Sequence, residues 1–112
     1  MILKNIRILL SCSFGFSTSI LVKKMENYFK TKSYPFTVEA LNETSAISVI
    51  ENYDVILIGP QVSYLLKKFK AAANEQIPVY IMETRSYGLQ KVDLIIEKML
   101  ADMKEDGFLN EA

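Results

Sequence analysis

Short runs that are apolar on both faces constrain this chain more than any other feature: Ile6 to Ser11, Val55 to Ile58, and Val79 to Met82 within a segment from Pro78. Strands of this kind belong in the middle of a sheet covered on both sides. Between them the period changes. Leu21, Met25, Tyr28 and Phe29 fall on one helical face from Ile20 onward, and Tyr34-Pro35 closes that helix. Phe36, Val38 and Ala40 alternate with Thr37, Glu39 and Leu41 as a further strand. Asn42 to Ser45 offers caps for a short helix near Ala46 to Glu51, with Ile47 and Ile50 inward. Gly59-Pro60 starts the next helix, whose apolar stripe is Val62, Leu65, Leu66, Phe69 and Ala73. Leu89, Val92, Ile96, Met99 and Met103 mark a last helix reaching about residue 104.

The pattern is β-α-β-α-β-α-β-α, an α/β fold: a four-stranded parallel sheet of order 2-1-3-4 with helices on both faces and right-handed crossovers. The 112 residues and 12.8 kDa make one domain, 1–112, with an ordered part of about 4–104 and a tail, 105–112, expected to fray. In such sheets a ligand binds beyond the carboxyl ends of the strands where the strand order reverses. That point lies between strands 1 and 3, so the loops that begin at Cys12 and Gly59 are expected to face each other.

Composition narrows the chemistry. Thirteen basic residues balance thirteen acidic ones, so no net field draws the molecule to nucleic acid or an anionic membrane. No apolar run approaches the ~20 residues of a membrane span, and no secretory signal is evident at the N-terminus. A single cysteine suits a reducing, cytoplasmic setting. Without histidine the chain has no Ser-His-Asp triad and no Cys-His pair. Its four glycines form neither nucleotide-binding fingerprint. No metal and no cofactor is expected.

What remains is Cys12 and the hydroxyl-rich loop behind it: Ser13, Phe14, Gly15, Phe16, Ser17, Thr18 and Ser19. Amides between a strand end and a helix start converge on one anion, and the positive end of the helix dipole favours it. Gly15 lets the backbone approach, and Ser17 or Thr18 serves as N-cap. The same donors hold a thiolate and pull a cysteine below its free pKa. Cys12 is then either a packed core thiol or a nucleophile seated in its own phosphate cradle. A glycine three residues on and the run of hydroxyls favour the second. Asp54 and Glu83 flank strands, and Lys23, Lys24, Lys67, Lys68 and Lys70 lie on solvent faces.

Ser11-Cys12-Ser13-Phe14-Gly15-Phe16-Ser17-Thr18-Ser19, then Leu57-Ile58-Gly59-Pro60-Gln61-Val62-Ser63-Tyr64, then Tyr87-Gly88, resembles the IIB component of the lactose/cellobiose family of the bacterial phosphoenolpyruvate-dependent sugar phosphotransferase system. The resemblance implies that Cys12 accepts a phosphoryl group from a phosphohistidine of a IIA protein. It passes the group to a sugar, a β-linked disaccharide, at a IIC membrane transporter. It also implies that residues 13–19 bind the phosphate, with Gly59, Pro60, Gln61, Tyr64 and Tyr87 as accessory residues. The carrier is expected to be a monomer that meets its partners transiently. This chain departs from the family pattern at Phe14 and Phe16, a candidate docking surface, at Ser86, and at Gln90, Lys91 and Val92, where relatives often have a glycine. Two other readings share the loop: a cysteine phosphatase or arsenate reductase, and a phosphate-sensing regulatory module. The first would need an arginine six residues after Cys12, where Thr18 stands, or a second cysteine.

Overall fold

The computed structural model describes residues 4–12 and 16–109. Four parallel strands, β1 (Ile6–Ser11), β2 (Phe36–Ala40), β3 (Val55–Ile58) and β4 (Val79–Ile81), form one sheet in the order β2-β1-β3-β4. Ile8 pairs with Val38 on one side and Val55 on the other, and Ser11 pairs with Ile58. The expected strands, strand order and crossovers are all present.

The pleat explains why the central runs are apolar throughout. Ile6, Ile8 and Leu10 point to one face, where they meet Leu21, Met25 and Phe29 of α1 (Phe16–Lys32) and Ile95, Ile96, Met99 and Met103 of α5 (Val92–Glu105). Leu9, Ile56 and Ile58 point to the other face, onto Ala46 of α2 (Glu43–Ser48) and Phe69 and Ala73 of α3 (Leu66–Ala73). Each fully buried Leu, Ile or Phe contributes about 1.5–3 kcal/mol of transfer free energy, so the two layers together carry the fold. Short 3₁₀ turns, Ile50–Asn52 and Pro60–Leu65, lead into β3 and α3.

Several local expectations need correction. The first helix begins at Phe16, so Ser17 and Thr18 lie within its first turn and neither is the N-cap. It stops at Lys32, two residues ahead of Tyr34-Pro35, because Ser33 turns left-handed (φ 57°). Tyr34 N–H then returns to the Phe29 carbonyl (2.8 Å) and Ser33 N–H to that of Lys30 (3.2 Å), a Schellman closure without glycine. The short second helix starts at Glu43, three residues earlier than expected, because Asn42 accepts the Ser45 N–H at 2.8 Å. Leu89 lies outside the last helix and is 56% exposed, while Ile95 takes a buried place in its stripe. The segment expected to fray is packed as far as Leu109. Gly107 (φ 84°) lets Phe108 N–H reach the Met103 carbonyl, and Phe108 and Leu109 pack on the core.

Candidate functional site

Both candidate loops leave the carboxyl ends of adjacent strands, and they meet as expected. Cys12 follows β1, Gly59 follows β3, and Gly59 N–H donates to the Ser11 carbonyl at 2.9 Å. The absence of a side chain at Gly59 is what allows this approach. A Cβ there would stand 3.3 Å from both Cβ and Sγ of Cys12 and 2.6 Å from Oε1 of Gln61. The backbone of Gly59 is ordinary extended chain (φ −64°, ψ 142°), so close packing, not an unusual dihedral, requires the glycine.

The third wall of the site is a helix of five residues that periodicity did not reveal, α4 (Thr84–Gly88). Glu83 caps it. One carboxylate oxygen accepts Arg85 N–H (3.0 Å), and the other accepts Ser86 N–H (3.1 Å) and the Ser86 hydroxyl (2.6 Å). These bonds from Ser86 and Arg85 hold the Glu83 carboxyl below the usual carboxylate range. Glutamate is an uncommon N-cap and its serine partner follows it, the reverse of the familiar capping box, which is why the sequence did not betray the helix. The capped turn delivers Tyr87. Its phenol packs against the α1/α5 core, accepts Nε2–H of Gln61 at 2.9 Å, and hydrogen-bonds the Cys12 sulfur.

Cys12 is a free, half-buried thiol. Burial pushes it up from the ordinary cysteine value, and the bonds from the Tyr87 hydroxyl and Gly59 N–H only partly offset this. The expected lowering of the thiol pKa is therefore reversed among the described residues: desolvation outweighs the donors. On its open side the cysteine borders a cleft of about 440 Å³, lined also by Thr18, Ser19, Val22, Lys23, Glu26, Ala40 and Leu41. The start of α1 thus flanks the sulfur with two hydroxyl side chains.

The remaining expected site residues divide clearly. Ser13, Phe14 and Gly15 lie outside the described residues, and Phe16 and Ser17 enter as backbone of the first turn of α1. Phe16 therefore belongs to the helix and not to a loop tip. Pro60 opens the 3₁₀ turn, which carries Gln61 toward Tyr87. Tyr64, in that same turn, is 76% exposed to solvent. Asp54 sits at the opposite end of the sheet, bound to Arg7, and has no part in the cysteine site. Lys68 pairs with Glu43.

With this geometry in view, comparison with known proteins becomes decisive. Residues 7–98 match the family model described as PTS system, Lactose/Cellobiose specific IIB subunit. The chain belongs to that family. Over 98 residues, 87% of this chain and 95% of the relative, the IIB chain is 33% identical to the oligo-beta-mannoside-specific EIIB component of Bacillus subtilis. It is 26% identical over 95 residues to the galactose-specific EIIB component of Lactococcus lactis subsp. cremoris, covering 80% of this chain and 88% of that one. Among solved structures it resembles the solution structure of the cellobiose-specific IIB component of Borrelia burgdorferi. That match has 34% identity and a TM-score of 0.69, covering 84% of this chain and 87% of that one. The lactose-specific IIB domain of Streptococcus pneumoniae shares the fold, with a TM-score of 0.76 at 17% identity, over 88% of this chain and 97% of that one. The protein is a sugar-specific IIB component of the lactose/cellobiose type, a class that acts in phosphotransfer. Among the described residues no helix is long and apolar enough to cross a membrane.

Proposed function

We propose that the chain, as one IIB domain, is a phosphocarrier whose Cys12 receives a phosphoryl group from a phosphohistidine of a IIA protein and gives it to a sugar at a IIC transporter. The observation that carries this reading is the placement of its single cysteine, at the switch point of the sheet and open to a cleft flanked by the start of α1. The residue 13–19 loop is the phosphate cradle. A neutral resting thiol suits the loading step. The N–P bond of the donor breaks, the S–P bond forms, and the thiol proton passes to the imidazole nitrogen that the phosphoryl group leaves. Phosphoryl transfer of this kind needs positioning and N–H donors more than covalent assistance. Gly59, Gln61 and Tyr87 frame the sulfur, Pro60 sets their turn, and Tyr64 offers an exposed ring to a partner.

The relatives named for oligo-beta-mannoside and cellobiose support a β-linked disaccharide as the sugar, and the galactose-specific relative keeps the choice within simple sugars. The reading sets the chain in the cytoplasm, as a monomer that meets its partners transiently. Thr18, in the first turn of α1 where a cysteine phosphatase would need its arginine, weighs against the hydrolytic alternative. The test is incubation with phosphoenolpyruvate, the general components and a IIA protein, followed by peptide mass mapping. The expected result is one phosphoryl group on the Cys12 peptide and none in Cys12→Ser. Anion-dependent stabilisation with no covalent adduct would instead indicate a phosphate-sensing module.

A further inference from the structure

The hydrogen-bond polarity around the Cys12 sulfur goes beyond the carrier assignment, on which it rests. Gln61 presents two different atoms to its neighbours. Its Oε1 lies over Gly59, 2.6 Å from where a Cβ would be, and its Nε2 donates to the Tyr87 oxygen at 2.9 Å. The phenol oxygen is thus already an acceptor on the Gln61 side, which leaves its own O–H directed at its other neighbour. That neighbour is the sulfur, hydrogen-bonded to Tyr87 and hemmed by Gly59. Tyr87 is held at this spot by α4, whose Glu83 cap and buried Ser86 immobilise the turn that carries it. The opposite side of the cysteine is the open cleft. The sulfur therefore has a donor on its closed side and space for reactants on its open side.

We propose that Tyr87 is a catalytic residue that donates its hydroxyl hydrogen to the Cys12 sulfur as the phosphoryl group departs, with Gln61 as the positioning residue that fixes the direction of that bond. In the delivery step the S–P bond breaks with its electron pair remaining on sulfur, and an O–P bond forms to the acceptor hydroxyl. The hydroxyl proton passes to water. Tyr87 keeps its own proton throughout. A hydrogen bond to a neutral phosphothioester sulfur is weak, whereas one to the emerging thiolate is charge-assisted. The interaction therefore strengthens toward the transition state, which is what raises a rate.

The test compares the intact chain with Tyr87→Phe and Gln61→Glu by two readouts. One is the pH dependence of Cys12 alkylation by iodoacetamide in the unphosphorylated protein, unambiguous because the chain has a single cysteine. The other is the rate at which phosphorylated Cys12 delivers its group to the cognate transporter and sugar. Tyr87→Phe is expected to raise the alkylation midpoint and slow delivery about 10- to 100-fold, the worth of one hydrogen bond to a charged group. Gln61→Glu is expected to act in the same direction, since a carboxylate draws the Tyr87 proton away from sulfur. It carries both readouts should Tyr87→Phe fail to fold. An unchanged midpoint or an unchanged delivery rate in a folded Tyr87→Phe protein overturns this inference alone. No phosphoryl group on Cys12 of the unaltered chain overturns the carrier reading, and the proposed role in delivery with it.

Discussion

Strands β1 and β3 are joined at both ends, by chemistry of opposite kinds. At the amino ends Arg7 and Asp54 exchange backbone bonds, with Asp54 N–H to the Arg7 carbonyl (2.8 Å) and Arg7 N–H to the Asp54 carboxylate (2.8 Å). The side chains close an ion pair at 3.2 Å. At the carboxyl ends Cys12, Gly59, Gln61 and Tyr87 meet in an uncharged, half-buried cluster against an open cleft. The first end is satisfied and wet, and it fixes register. The second leaves a desolvated thiol beside space for a reactant. The same pair of strands thus separates stability from chemistry by placing them at opposite ends.

The most severe way to break that division is Cys12→Ser, expected to abolish phosphoryl acceptance while the thermal midpoint stays near that of the unaltered chain. Calorimetry beside the labelling assay checks both. Gly59→Ala comes next. Its Cβ must displace the Gln61 amide, which frees Tyr87, and must crowd Cys12 at 3.3 Å. Phosphotransfer is expected to fall at least about tenfold for a stability loss of about 1 kcal/mol, measured by urea unfolding in parallel with transfer assays.

At the other end the effects reverse. Asp54→Ala is expected to lower stability by about 1 kcal/mol, because it strands the Arg7 N–H and removes a half-exposed ion pair already weakened by solvent. The transfer rate is expected to hold. Acid titration sharpens the contrast. Burial pushes the Asp54 carboxyl up, but the bonds and charge of Arg7 outweigh it and the net shift is down. Glu83 is held down by Ser86 and Arg85. Carboxyls lowered in the folded state contribute fully above their unfolded values, near pH ~4, and the contribution is lost as pH falls through the folded ones. Stability is therefore expected to decline below pH ~4 in the unaltered chain, and less steeply in Asp54→Ala. The Cys12 thiol, raised in the folded state, has the opposite sign. Its contribution is complete below the unfolded thiol value and fades as pH rises through the folded one. The smallest effect is expected at Ser33→Gly, a gain of up to about 1 kcal/mol from relieving a left-handed residue that closes α1.

What the sequence revealed and what it withheld follow the same physical division. Runs such as Val55–Ile58, buried on both faces, announce a central parallel strand. Once two such strands flank the switch point, the meeting of Cys12 with Gly59 follows from topology alone. The identity of the third partner did not follow. Tyr87 reaches the sulfur only because Glu83 caps a five-residue helix, and a glutamate cap has no periodic signature. The direction of the Cys12 shift was also hidden, since it depends on how much burial the packed ring of Tyr87 and the bare Gly59 impose. Likewise Gln90, where relatives often have a glycine, adopts φ 52°. It closes α4 through Lys91 N–H to the Ser86 carbonyl, so the left-handed turn persists without the residue that would have advertised it.

Phosphorus NMR of the chain after incubation with phosphoenolpyruvate, the general components and IIA tests the central claim most directly, because the resonance reports which atom the phosphorus is bonded to. The account predicts a single protein-bound signal in the thiophosphate-ester region that vanishes in Cys12→Ser. A signal from an oxygen-linked phosphoryl group, or an S-linked signal that survives Cys12→Ser, would contradict it.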